Sequence, residues 1–232
     1  MRVKEETEIV PISPDASFYF FCGPEVPCFN ACCGDLNQYL SPYDVLRLKK
    51  NLGVSSPVFL DTCTVRHEGP RSGLPVVSLR PKNTPEMACP FVTDQGCRVY
   101  ADRPASCRMY PIMRMAARDR STGTIREEYM LMREPHCHGF SSGRPITVNA
   151  WMADQGLIPY NAANDDFLRV LGVKRRDCPG ILPQPLSDRI FTALYDSDRF
   201  AETIAGCRYD NDEAYLRDAY EYVIGCLQQH EK

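Results

Sequence analysis

No run of about eighteen apolar residues occurs in the chain, so nothing in it is expected to span a membrane. The opening Met1-Arg-Val-Lys-Glu-Glu-Thr-Glu8 carries both signs of charge and leads into no apolar core, so no secretory signal is expected. There is no internal repeat, no low-complexity tract, no His-Glu-x-x-His, no phosphate-binding Gly-x4-Gly-Lys-Ser/Thr loop and no Gly-x-Gly-x-x-Gly. A net charge of −3 lacks the positive excess that nonspecific nucleic-acid binding requires. What remains is a chain of 232 residues, 44% hydrophobic and 25% charged, long enough for one large domain or a domain with an extension.

Cysteine is what the chain has in excess, with 12 residues. In a secreted protein they would suggest disulfides. With no secretory signal a cytoplasmic location is expected, and in a reducing cytosol they suggest metal. Their grouping points the same way. Cys22-Gly-Pro-Glu-Val-Pro-Cys28-Phe-Asn-Ala-Cys32-Cys33 is answered downstream by Cys89, Cys97 and Cys107 among prolines and glycines, and then by Cys137. Short, turn-rich loops can aim several sulfurs at one point, and a second group can close the coordination shell. The candidate metal ligands are therefore Cys22, Cys28, Cys32, Cys33, Cys89, Cys97, Cys107 and Cys137, with His136 and His138 in reserve. Adjacent side chains diverge from the backbone, so Cys32 and Cys33 do not readily ligate one ion. Either they serve two neighbouring centres, or one ligates while the other packs or hydrogen-bonds.

The spacing fits neither a zinc ribbon, which needs two Cys-x2-Cys knuckles, nor a Cys-x3-Cys-x2-Cys loop, whose third position here is Asp35. A nucleophilic Cys107 activated by Arg103 and Arg108 is an alternative. Cys63 with His67 is a weak ligand pair, and Cys178, Cys207 and Cys226 read as structural or unpartnered. From Arg98 to Arg133 eight arginines face four acids. That surplus would screen a negatively charged metal–thiolate centre, with Arg103 and Arg108 as donors to the sulfurs, or it is a solvated surface.

The periodicity predicts an irregular arm over 1–17 with an edge strand near Ile9-Val10, and an aromatic run Phe18–Phe21 anchoring the first cysteine loop. A helix capped by Ser41, opened by Pro42 and stopped by Gly53 should bury Val45, Leu48 and Leu52. Residues 54–88 read as loop with a strand at Val76–Leu79. Arg103-Pro104 should start the helical turn that delivers Cys107, and Ile112–Arg118 with Ile125–Met132 should form a hairpin returning Cys137 to the cluster. Helices are expected from Thr147 to Gly156, over Tyr160–Leu171 with Gly172 ending it, over Ser187–Tyr195 and over Asp212–Leu227. The last should carry a Leu216, Tyr220, Val223, Leu227 stripe. The fold class expected is α+β, with an irregular cysteine-rich metal-bound core, short strands and a helical C-terminal part.

Several of these motifs together resemble the YkgJ-type cysteine-cluster family. They are Cys28-x3-Cys32-Cys33, Leu40-Ser-Pro-Tyr-Asp44, Cys89-Pro, Gly96-Cys97-Arg-Val-Tyr100, Arg103-Pro104, Cys107-Arg108, Tyr110-Pro111 and Cys137-x-Gly139. The resemblance covers 22–140, fades through about 171, and implies chelation of zinc or iron. Residues 172–232 match nothing familiar, and 54–88 reads as an insertion. The domains expected are a metal-binding unit over 15–171 and a helical extension over 172–232. The leading reading is a protein holding an iron–sulfur cluster or zinc through clustered thiolates. Flagellin lysine N-methylases are grouped with the family, so a metal-dependent protein-lysine N-methyltransferase is one alternative and a metal carrier or chaperone another. The partners expected are a metal ion and, for those alternatives, a protein, but neither nucleic acid nor a membrane.

Overall fold

A computed structural model describes residues 6–141 and 143–230. Of the arm expected over 1–17, and of the charged opening segment, residues 1–5 lie outside the described residues. The chain runs through β1 (Glu8–Pro11), β2 (Ser17–Tyr19), β3 (Tyr39–Leu40), α1 (Pro42–Leu52), α2 (Ser56–Cys63), β4 (Thr64–Glu68), β5 (Pro75–Leu79), β6 (Val92–Thr93) and β7 (Gly96–Cys97). It continues through α3 (Ala105–Met109), β8 (Ile112–Arg118), β9 (Ile125–Arg133), β10 (Pro145–Thr147), α4 (Val148–Asp154), α5 (Ile158–Asp177), α6 (Gln184–Tyr195), α7 (Ser197–Phe200) and α8 (Asp212–Gln229). The class is α+β, with small antiparallel sheets in the first part and helices in the second.

Helix α1 is the hub. Ser41 Oγ accepts from the Asp44 amide while the Asp44 carboxylate accepts from the Ser41 amide, at 3.2 and 2.8 Å, closing a capping box at a proline-opened start. Gly53 takes the left-handed conformation (φ 66°) that ends the helix. Val45 and Leu48 are buried as the periodicity predicts, but Leu52 is only half-buried, and Tyr43, Leu46 and Lys49 are buried as well. The reason is that α5, α6 and α8 all pack on α1, so more than one stripe is covered. On α8 the predicted stripe is fully realised, with Leu216, Tyr220, Val223 and Leu227 all buried.

Two expectations need correction. The stretch 54–88 is not mostly loop, because α2 and the β4–β5 hairpin fill it. β4 reads Thr-Val-Arg-His-Glu and buries only its first residue, so it shows no apolar alternation. Gly172 does not end α5, which continues to Asp177. An interior glycine costs about 1 kcal/mol relative to alanine. Beyond it the buried Lys174 amine donates to the Cys178 and Gly180 carbonyls at 2.5 and 2.7 Å, satisfying acceptors past the helix end. Residues 171 and 172 thus lie within one helix, and one apolar core runs from α1 into α6 and α8.

The other anchors fall where the pattern puts them. β1 is an edge strand paired to β9, and β8 and β9 form the hairpin with Ile112 opposite Leu131, both buried. Thr147 caps α4, and Trp151 on that helix donates its indole N–H to the Met109 carbonyl at 3.1 Å. Beneath the first cysteine loop Phe20 meets Tyr110, Phe140 and Trp151 edge-on at 5.1–5.8 Å between centroids.

Candidate metal centre

The first cysteine loop leaves this aromatic floor at Phe21 and turns through Gly23–Cys28 to a short 3₁₀ turn, Ala31–Cys33. Asn30 opens that turn in the left-handed region (φ 68°), which its short polar side chain tolerates, and its Nδ2 donates to the Thr93 carbonyl at 3.0 Å. That bond ties the doublet to the β6–β7 hairpin carrying Cys97. The Cys89 amide donates to the Cys33 carbonyl at 2.7 Å, which sets the two residues side by side. Cys107 rides on α3, whose Ala105 amide donates to the buried Asp44 carboxylate at 2.8 Å. The side chain that caps α1 therefore also places the turn bearing Cys107.

Cys137 is placed by contacts with the first loop. The Phe21 amide donates to the Gly139 carbonyl at 3.0 Å, and a Cβ on Gly139 would lie 2.6 Å from the Phe20 ring and 2.7 Å from the Phe21 carbonyl. Only glycine lets the two segments approach so closely. The His138 amide then donates to Cys28 Sγ at 3.1 Å.

The electrostatics record which sulfurs are neighbours. Burial pushes the Cys22 thiol up, and Cys32, Cys28 and Cys137 push it further while Arg103 pulls it back. Burial likewise raises Cys137, with Cys28 adding to it against the lowering effects of Tyr110 and the Gly139 backbone. A hydrogen bond from Cys33 lowers Cys32 and raises Cys33, which burial and the nearby Cys32, Cys89 and Cys107 raise further. Cys107 touches solvent, yet protein atoms crowd its sulfur enough that burial first, then Cys89 and Cys32, push it up to about 12. Burial also raises Cys89 and Cys97. Each of the eight predicted cysteines is within electrostatic influence of at least one other of the set, and all are free thiols. Among the described residues no group of three or more Cys, His, Asp or Glu side chains is placed to hold a metal ion. A tetrahedral zinc at about 2.3 Å from each sulfur would hold its sulfurs about 3.8 Å apart.

The donor set suits a thiophilic metal. One buried polar atom fits as well: the Tyr110 hydroxyl lies beside Cys137, and a metal-bound thiolate there would accept its hydrogen bond. Sequence reasoning missed Tyr110, although Tyr110-Pro111 stands directly before the hairpin. It also missed Gln38, whose Oε1 is 3.5 Å from Cys107 Sγ.

The arginine surplus divides. Arg103, stacked 3.8 Å over the Tyr100 ring, is near enough to Cys22 and Cys97 to lower both. Arg108 instead donates to the Arg103, Gln155 and Ala101 carbonyls and holds the backbone rather than the sulfurs. Arg114 is bound by Asp165 and Glu127. The remaining candidates have other contacts. His136 faces Glu134 at 3.8 Å, and His67 meets Ser78 at 2.8 Å on β4 while Cys63 ends α2. Cys178 and Cys226 are buried, and Cys207 is exposed. An open surface cleft of about 410 Å³ borders Cys33.

A family model named CxxCxxCC, described as "Putative zinc- or iron-chelating domain", matches residues 22–138. The first loop here is spaced Cys22-x5-Cys28-x3-Cys32-Cys33, looser than the family's name spells. No curated protein and no solved structure matches the chain. No helix among the described residues is long and apolar enough to cross a membrane.

Proposed function

From a chain that belongs to the CxxCxxCC family of metal-chelating domains, we propose a protein that holds an iron–sulfur cluster or zinc through Cys22, Cys28, Cys32, Cys33, Cys89, Cys97, Cys107 and Cys137. What supports this reading is the family match over residues 22–138 together with eight free thiols that reach one another electrostatically from separate loops. Bound metal would supply a cross-link between those loops, and Arg103 and Tyr110 would offset the charge on its thiolates. An all-thiolate set suits either metal. Residues 15–171 form the chelating unit in this reading, and 172–232 the helical extension that closes over α1. Twelve unpaired cysteines fit a reducing, cytoplasmic setting.

Anaerobic purification with elemental analysis tests it. A brown protein with matching iron and sulfide identifies a cluster, and a colourless one with stoichiometric zinc identifies zinc. A protein with neither metal, and with no capacity to take either up, overturns the reading. Cys107→Ala should lower bound metal per chain, and unchanged metal content would remove Cys107 from the site. A metal carrier is a second reading, favoured by the exposure of Cys22 and Cys32, because solvent-facing thiolates can pass an ion to a partner protein.

A further inference from the structure

Helix α1 carries a polar stripe beside its buried one. Asp44, Arg47 and Asn51 stand at i, i+3 and i+7, on one side of the helix, and all three bind the same short stretch of chain. The Asp44 carboxylate accepts from the Ala105 amide at 2.8 Å. Arg47 donates to Asp102 at 2.9 and 2.6 Å, and Asn51 donates to it at 2.8 Å. Just before the helix, Gln38 Oε1 accepts from Ser106 Oγ at 2.9 Å and from the Cys107 thiol at 3.5 Å. Four side chains between 38 and 51 therefore grip residues 102, 105, 106 and 107. Arg108 then ties the stretch to itself through the Ala101 and Arg103 carbonyls. The grip is needed. α3 has five residues, and a helix that short does not hold itself in water. Of those five only Ala105 and Arg108 are buried, so apolar packing contributes little. Asp44 is buried, where a carboxylate is costly unless it is bonded, so its contact with the Ala105 amide is a strong one.

We propose that Gln38, Asp44, Arg47 and Asn51 are positioning residues for Cys107, holding the arm 102–107 in the shape that presents its sulfur before an ion arrives. This rests on the chelation reading above and adds to it the chain's own means of ordering one ligand. An arm ordered beforehand lowers the cost of binding, because the ion does not have to fix it. The same contacts tie the arm to the helix on which α5, α6 and α8 pack, so the helical part supplies the fixed support.

The test is hydrogen exchange of the reduced, metal-free full chain, resolved by peptide, followed by anaerobic titration with Co²⁺. Asn at 44 offers one acceptor oxygen where the carboxylate offers two, so Asp44→Asn loses either the cap or the clasp on Ala105. Exchange over 102–109 should quicken about tenfold in that variant while α8 stays unchanged. Gln38→Ala and Ser106→Ala lie outside the α1 cap and keep the test open should Asp44→Asn unfold. Each should quicken the same segment about threefold, and the two together little more than either alone, because they remove one shared bond. Gln38→Ala with Asp44→Asn, or with Arg47→Ala if Asp44→Asn does not fold, should weaken cobalt binding about tenfold, since the competent arm is then a minor population. Circular dichroism checks the fold of each. Unaltered exchange over 102–109 in the folded variants overturns the inference. So does an equal quickening in α8, which is general destabilisation, or cobalt binding unchanged when the arm has loosened. In those cases wild-type cobalt uptake that Cys107→Ala lowers leaves chelation standing. No uptake by the wild type overturns the chelation reading and, with it, the role assigned to these four residues.

Discussion

Helix α8 and the cysteine loops are held by different physics. On α8 the apolar stripe is closed from water, and each such side chain contributes about 1.5–3 kcal/mol by burial alone. The loops from 22 to 33 and from 89 to 107 have short strands, single-turn helices and several thiols open to solvent. Their order rests on a few backbone bonds, the Asp44 anchor and a few buried side chains such as Val26, Phe91 and Val99. The lesson is that one core can join a part closed by an apolar helix stripe to a part held largely by turns, caps and local bonds.

The sharpest way to break that contrast is a cavity in the helical part. Leu227→Ala should cost about 2–5 kcal/mol in urea unfolding while metal per folded chain stays the same. A fall in metal content would mean that the two parts are not independent. Stripping the metal should act in the opposite place. Stability should fall by about 2.7 kcal/mol relative to protein held at a hundredfold excess over Kd. Hydrogen exchange should quicken in 22–33 and 89–110 while α8 stays protected. Gly139→Ala, whose Cβ would meet the Phe20 ring, should destabilise by about 1–3 kcal/mol and weaken metal binding by displacing Cys137.

The smallest effect lies on the seam between the parts. Arg47 donates to Asp102 at 2.6 Å and Asn51 donates to it at 2.8 Å; despite burial, which works the other way, these bonds hold its carboxyl below the usual range. The folded value is depressed, so the stabilisation is present above the ordinary carboxylate range and is lost as pH falls through the folded value. Asp102→Asn should cost about 0.5–1 kcal/mol at neutral pH. The cost should shrink on acidification, read from urea midpoints of the metal-free protein.

Much of this was legible in the residues. Ser41, Pro42 and Gly53 mark α1 because caps and stops are local chemistry, and the β8–β9 hairpin follows from its turn and flanking runs. The α8 stripe is legible for the same reason: its period is set by the helix itself. The β4 strand and the length of α5 were not, since each depends on what packs against it from far along the chain. At the site, the cysteine spacing named the eight thiols but not their grouping. Which sulfur neighbours which is decided by tertiary bonds such as Cys89 to Cys33 and His138 to Cys28, and no spacing encodes those. Arg108 was assigned to the sulfurs because it adjoins Cys107, whereas its donors turn to carbonyls.

The central claim is that thiolates from distant loops share metal, and X-ray absorption at the edge of the metal that copurifies tests it most directly. A nearest shell made of sulfur alone is the result expected. Nitrogen or oxygen neighbours dominating that shell would contradict it.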